Sequence, residues 1–187
     1  MDAIQTILTR TSVRRYSDRE IPEEALRRIL EAGMSGPSCV NSRDWSFVVV
    51  RDPVMLNKME DANGRPAQPL RGAKLGILVC GDLDRAFQGA PDYWVVDGAI
   101  AAQNMILAAH ALGIGSVWLG TWPQMERVEA QAKLFGLPEN QIPHSIIAFG
   151  YPGEESTKEK RIWEEDRIHY EKWGTKAGEK TAEGLRE

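Results

Sequence analysis

The chain has 187 residues, of which 42% are hydrophobic and 27% charged, and its formal net charge is −4. That length suits a single domain with a real core, and the mild acidity argues against a nucleic-acid partner, which calls for a basic face. No apolar run approaches the roughly 20 residues of a membrane span, the start Met1-Asp2-Ala3-Ile4-Gln5 lacks the basic and apolar regions of a signal peptide, and two cysteines, Cys39 and Cys80, make no disulfide framework, so a cytoplasmic location is expected.

In chain order, Ile4, Ile7 and Leu8 form a short helical stripe. It stops before Arg10-Thr11-Ser12-Val13-Arg14-Arg15-Tyr16, where two arginines four residues apart flank a hydroxyl pair. Guanidinium forks with Ser and Thr hydroxyls suit a phosphate. Pro22 opens a second helix, with Leu26, Ile29 and Leu30 as its buried face and Gly33 as its stop. A small-polar cluster follows, Gly36-Pro37-Ser38-Cys39-Val40-Asn41-Ser42-Arg43-Asp44-Trp45, and then a buried strand over 46–50. Together the two polar clusters point to a phosphorylated, flat, polar-edged cofactor.

Pro53, Met55, Leu56 and Met59 predict a short helix, and residues 63–69 a loop by their Gly and Pro content. A second buried strand covers 75–80. The longest helix runs over 92–112, Ala-rich and apolar on most sides, so it is expected to be central. Gly113 closes it, a third strand spans 116–119, a helix covers 123–135 with Gly136 as its stop, and a fourth strand spans 144–149. The six tryptophans, Trp45, Trp94, Trp118 and Trp122 among them, suggest aromatic surfaces around a pocket or a subunit contact. Residues 174–187 form a polar tail without apolar periodicity.

Alternating helices and strands suggest, on their face, an α/β doubly wound sheet. A dinucleotide fingerprint, however, needs its glycines between a strand and the following helix, and Gly113-Ile114-Gly115 lies between a helix and the following strand. The three histidines, His110, His144 and His169, and the two cysteines are scattered without metal-ligand spacing. His110 reads as a satisfied core histidine, and Cys39 has no local partner to make it a nucleophile. A bound cofactor is thus expected to carry the chemistry.

Four motifs in order, R-T-S-V-R-R-Y, P-S-C-V-N-S-R-D-W, an Ala-rich helix leading into G-I-G-S-V-W-L-G, and F-G-Y-P with a later Arg, resemble the nitroreductase family of flavoproteins. The likeness runs from about Ile4 to Trp173. It implies an α+β fold with a central, mainly antiparallel sheet flanked by helices, in place of the doubly wound sheet. It also implies an intertwined homodimer with two shared FMN sites, a single FMN-binding domain over 1–173 and a tail over 174–187. Carried over by position, Arg10, Thr11 and Ser12 match the FMN phosphate and ribityl segment, and Arg161 a second phosphate ligand. Arg14 matches a cation near the N1–O2 edge of the flavin. Pro37, Ser38, Cys39 and Asn41 match the loop that reaches the same flavin from the other subunit. Leu119 and Gly120 match the backbone near N5–O4, and Asn63 a contact to the pyrimidine edge.

The implied activity is hydride transfer from NADH or NADPH through flavin N5 to a small organic acceptor, a nitroaromatic, quinone or enone, in a ping-pong cycle. The alternatives are a flavin-dependent dehalogenase, a flavin-destroying enzyme, or a low-turnover flavin-binding redox sensor. The chain departs from many family members at Arg43-Asp44, where they carry Gln-Pro, and at Glu159, where they carry Lys. Leu119 stands where the larger relatives have an acidic residue. The arm 161–173, with Trp163, Tyr170 and Trp173, is expected to lie across the partner subunit.

Overall fold

The computed structural model describes residues 2–153 and 163–178. Its elements are α1 (Ala3–Thr9), α2 (Glu23–Met34), β1 (Trp45–Val50), α3 (Pro53–Asn63), β2 (Leu75–Asp82), α4 (Tyr93–Ala111), β3 (Gly115–Gly120), α5 (Met125–Phe135) and β4 (Gln141–Gly150), with short 3-10 turns at Cys39–Asn41, Arg65–Gly72 and Glu165–Arg167. All four strands pair antiparallel in the order β1-β2-β4-β3. The architecture is therefore α+β. The doubly wound reading fails on strand direction, which an apolar run does not encode.

The two central strands, β2 and β4, are buried along nearly their whole length because helices cover both faces of the sheet. Alternation distributes their side chains between two cores. Leu75, Ile77, Val79, Ile147 and Phe149 pack with Leu26 and Ile29 of α2 and with Ala102, Met105 and Ala109 of α4. Leu78, Cys80, Ile146 and Ala148 pack on the other face with Leu56 and Met59 of α3, with Ala67 and Leu70 of the Arg65–Gly72 turn, and with Val117 and Leu119 of β3. Burial on both faces explains their continuous apolar runs.

Several boundaries differ from expectation for physical reasons. Helix α2 runs past Gly33 to Met34, and a Cβ at Gly33 would meet the Met105 side chain at 2.8 Å. That glycine is a close-packing point between α2 and α4, not a stop. The stretch 65–69 forms a 3-10 turn, which Pro66 and Pro69 allow by removing few donors from an i→i+3 pattern. His110 lies in the last turn of α4, half-buried and bonded to Thr9, so it is not a core histidine.

The N-terminal segment after α1 is stitched to the sheet. The Val13 N–H donates to the Ser116 carbonyl at 2.9 Å, in a parallel bridge between Ser12 and Ser116. The Ser17 N–H donates to the Tyr151 carbonyl at 2.8 Å, and the Gly153 N–H to the Arg15 carbonyl at 3.2 Å. Gly115 and Gly150 make this approach possible, since a Cβ there would stand 2.7 Å from Val13 and 2.6 Å from the Tyr16 ring. Among the described residues no helix is long and apolar enough to cross a membrane.

Candidate functional site

The parallel bridge sets the direction of the polar cluster. Ser12 lies by the beginning of β3, and from Val13 the chain turns toward the end of β4, where Tyr16 packs on Gly150 and bridges Pro152. Arg10 Nε is buried and has no hydrogen-bond partner among the described residues. A buried guanidinium N–H without an acceptor is a costly omission that an anion would repair. Beside it, the Thr9 hydroxyl and His110 Nε2 are 2.8 Å apart. Burial lowers the His110 pKa, and the Arg10 charge lowers it further, so the imidazole adds no charge of its own near neutrality.

Along β3 from Ser116 to Gly120 is roughly 13 Å of strand. At that far end the Gly120 carbonyl accepts two bonds, from Asn63 Nδ2 at 3.1 Å and from Arg127 Nη1 at 2.9 Å. Asn63, 1% exposed, also accepts from the Thr121 hydroxyl at 2.9 Å. The backbone after Leu119 is thereby fixed from three sides, and Leu119 itself is buried in the sheet core. Arg14 and Tyr16 face the Arg65–Gly72 turn across a cleft of about 630 Å³, also lined by Arg15, Arg65 and Arg71. Arg71 is neutralised by Glu60 and Asp61. Arg14, Arg15 and Arg65 have no carboxylate partner among the described residues, so this cleft is cationic on an acidic protein.

The loop containing Pro37, Ser38, Cys39 and Asn41 lies elsewhere. It packs against the first half of α4, where the Cys39 N–H donates to Asp97 Oδ2 at 2.9 Å. Val40, Asn41 and Arg43 all adopt positive φ, at 46°, 58° and 51°. The Ser38 hydroxyl accepts the Arg43 N–H at 2.9 Å, and Arg43 Nε reaches Asn41 Oδ1 at 3.2 Å. Asp97 and His110 mark the two polar clusters on α4, and their positions are about 20 Å apart at 1.5 Å per residue. One chain thus brings Arg10 and Ser12 to the start of β3, Asn63, Leu119 and Gly120 to its end, and Arg14 to the cleft facing the Arg65–Gly72 turn, but holds the 37–41 loop against the first half of α4. Arg161 lies outside the described residues.

The sequence reading assigned no site role to four contributors, Arg127, Thr9, His110 and Asp97. Arg127 sits on an ordinary polar helix face, where nothing local marks it. Thr9 and His110 meet only through tertiary packing. Asp97 did carry a signal, as the lone acid inside an apolar helix.

Three of the tryptophans gather around His144. Trp94 and Trp122 rings are 5.0 Å apart edge to face, and Trp94 and Trp118 stand 6.0 and 5.6 Å from the His144 ring. Both cysteines are free, and burial pushes the Cys80 thiol up to about 12.

The residues along β3 suit a long ligand with an anionic end and a flat, polar-edged end. The chain matches the model of the nitroreductase family over residues 7–69 and 60–151. It is 45% identical over 173 residues to a candidate NADH dehydrogenase/NAD(P)H nitroreductase of Methanothermobacter thermautotrophicus, spanning 92% of this chain and 88% of that protein. Among solved structures, one with the same description from Bacteroides thetaiotaomicron superposes with a TM-score of 0.84 at 40% identity, over 91% of this chain and 98% of the other. A candidate nitroreductase from Desulfovibrio desulfuricans, solved in complex with FMN, superposes with a TM-score of 0.72 at 35% identity, over 87% and 92%. The chain belongs to the nitroreductase family.

Proposed function

We propose that the protein is an FMN-dependent oxidoreductase that takes electrons from NADH or NADPH and delivers them to a small organic acceptor. The observation that carries this reading is the buried, unpartnered Arg10 Nε beside Ser12 at one end of β3, with the Gly120 backbone fixed at the other. When bound, FMN supplies the two-electron chemistry, for which this chain offers no metal cluster or activated nucleophile among its described residues. Arg10, Thr11 and Ser12, with Arg161, hold the single phosphate. Arg14 places a cation where negative charge develops on reduction, which favours the reduced form. Asn63 and Arg127 lock the Gly120 carbonyl, so the neighbouring backbone presents a fixed polar edge and costs no reorganisation during turnover. NAD(P)H and the acceptor use one open face in turn, a ping-pong order.

The remote position of the 37–41 loop supports a homodimer in which one chain gives the β3 side of each site and the partner gives the loop. The arm fits the same picture. Trp163 and Trp173 are 75% and 90% exposed in the single chain, unusual for tryptophan unless a partner covers it.

The test is the visible spectrum of the purified protein, release of its flavin by acid, and titration with NADH and NADPH. Yellow protein releasing FMN, and fast bleaching by either nucleotide, are the expected results. Released FAD, or bleaching far slower than any reoxidation, would defeat the reading.

A further inference from the structure

Asp44 closes the strained loop before β1. The residue is 1% exposed, yet neither carboxyl oxygen makes a hydrogen bond of good geometry, and the buried Ser42 hydroxyl beside it only partly opposes the rise in its pKa. The charged group within hydrogen-bonding reach is a second buried carboxyl, Asp97, 2% exposed, whose Oδ2 already accepts the Cys39 N–H. Two carboxylates in one dry pocket cannot both remain ionised, and a shared proton is the usual resolution.

Among the described residues no salt bridge reaches either carboxyl. From the same loop, Arg43 turns outward to Asn41. From the end of β2, Asp82 donates its N–H to the Asp44 carbonyl, while its carboxylate faces the Asp84 N–H and Asn140. Just beyond β2, Arg85 points at the Ser42 carbonyl from 3.4 Å. From β4, His144 packs against Gly98 of α4 and stays neutral, its pKa lowered to about 4 by burial.

We propose that Asp44 is a positioning residue held as the neutral acid: its O–H donates to the Asp97 carboxylate, and the pair grips the Cys39 N–H and holds the strained loop in the shape that meets the flavin. The last step rests on the reading that Cys39 and Asn41 reach a flavin. Positive φ at Val40, Asn41 and Arg43 is costly and persists only where surrounding contacts over-determine it. The Asp97 bond to Cys39 is one such contact, and the proton on Asp44 keeps that carboxylate from being repelled. Burial, then the Asp97 charge, raise the Asp44 pKa, in keeping with this assignment. Ionisation of Asp44 at higher pH sets the two carboxylates against each other and loosens the loop.

Infrared spectra of the flavin-free protein at neutral pH should show a protonated-carboxyl C=O band that Asp44→Asn removes. In the wild type, exchange of the Cys39 amide should become faster with pH than the intrinsic chemistry dictates, and Asp44→Asn should abolish that excess. FMN affinity should fall as pH rises in the wild type but stay level in Asp44→Asn, which keeps a neutral donor to Asp97. Asp44→Ala should bind FMN about tenfold more weakly than Asp44→Asn at every pH. Absence of the carboxyl band, or Asn no better than Ala, overturns the proposal. If the wild type binds no FMN at all, the proposed function fails separately, and the band and the Cys39 exchange still decide the clamp.

Discussion

Asn63, the last residue of α3, donates its side-chain amide to the carbonyl of Gly120, the last residue of β3, at 3.1 Å. The same amide accepts the Thr121 hydroxyl at 2.9 Å. Asn63→Ala therefore leaves the buried Thr121 hydroxyl without this partner, while Arg127 still holds the Gly120 carbonyl, at a cost of about 1–3 kcal/mol. Asn63→Asp should cost more, because a carboxylate then faces the Gly120 carbonyl. Denaturant unfolding of the two variants checks the order; Asp milder than Ala would sink it.

Arg10 and Arg14 should separate binding from tuning. On the proposed assignment Arg10→Ala removes a charged bond to phosphate, about 1.5–3 kcal/mol, so FMN affinity should fall roughly 10- to 100-fold. Arg10→Lys should not restore it, since the orphaned atom is Nε, which lysine lacks. Arg14→Ala should instead lower the flavin reduction potential. Equilibrium dialysis and potentiometric titration read the two effects, and an unchanged value in either counts against that residue's role.

Gly115→Ala should disturb the site without touching a ligand. The new methyl would meet Val13 Cβ at 2.7 Å and push the Ser12–Val13 segment away from β3. Overpacking of this kind costs about 1–3 kcal/mol. Lower thermal stability together with weaker FMN retention is expected; a fully stable variant with normal FMN would show the segment to be loosely held.

Acid should destabilise the protein through His144. Burial lowers its pKa to about 4 from the ordinary 6.5. Because the folded value is the lower one, the associated stability is complete above pH 6.5 and is lost as pH falls toward 4. The gap corresponds to roughly 3 kcal/mol. His144→Gln should flatten unfolding free energy across that window, and an unaltered acid limb would refute the assignment.

Shared sites predict complementation. Mixed dimers of differently tagged Arg10→Ala and Asn41→Ala subunits carry both lesions in one site and neither in the other. About half of the wild-type flavin and activity per dimer should return, above that of either parent. Verified mixed dimers without recovery would refute sharing.

The residue types of the Arg10 cluster suggest an anion site even without a fold, and the buried, unpartnered Arg10 Nε supports that reading. Helix α4 was legible to within a residue, since its apolar breadth marks a helix buried on several sides. Strand direction was not, because β2 and β4 are buried on both faces and an apolar run reads the same in either sense. Nor was the Gly120 anchorage, which joins residues of α3, β3 and α5. Arg127 looks like any solvated helix arginine until the strand end is placed beneath it. Residues 179–187 lie outside the described part, as does Arg161.

The stitching of the N-terminal segment has a consequence for assembly. Val13 leans on Ser116, Ser17 on Tyr151, and Arg15 receives Gly153. Arg10 and Ser12, the proposed phosphate ligands, thus come early in the chain but gain their scaffold only from supports far downstream. Contacts of such long sequence separation close late. The cofactor cannot seed the fold from this cluster. It can only secure a sheet already completed through Tyr151, adding its binding energy to the finished state. Retained flavin is therefore a quality mark, and chains interrupted before β4 emerge should never turn yellow.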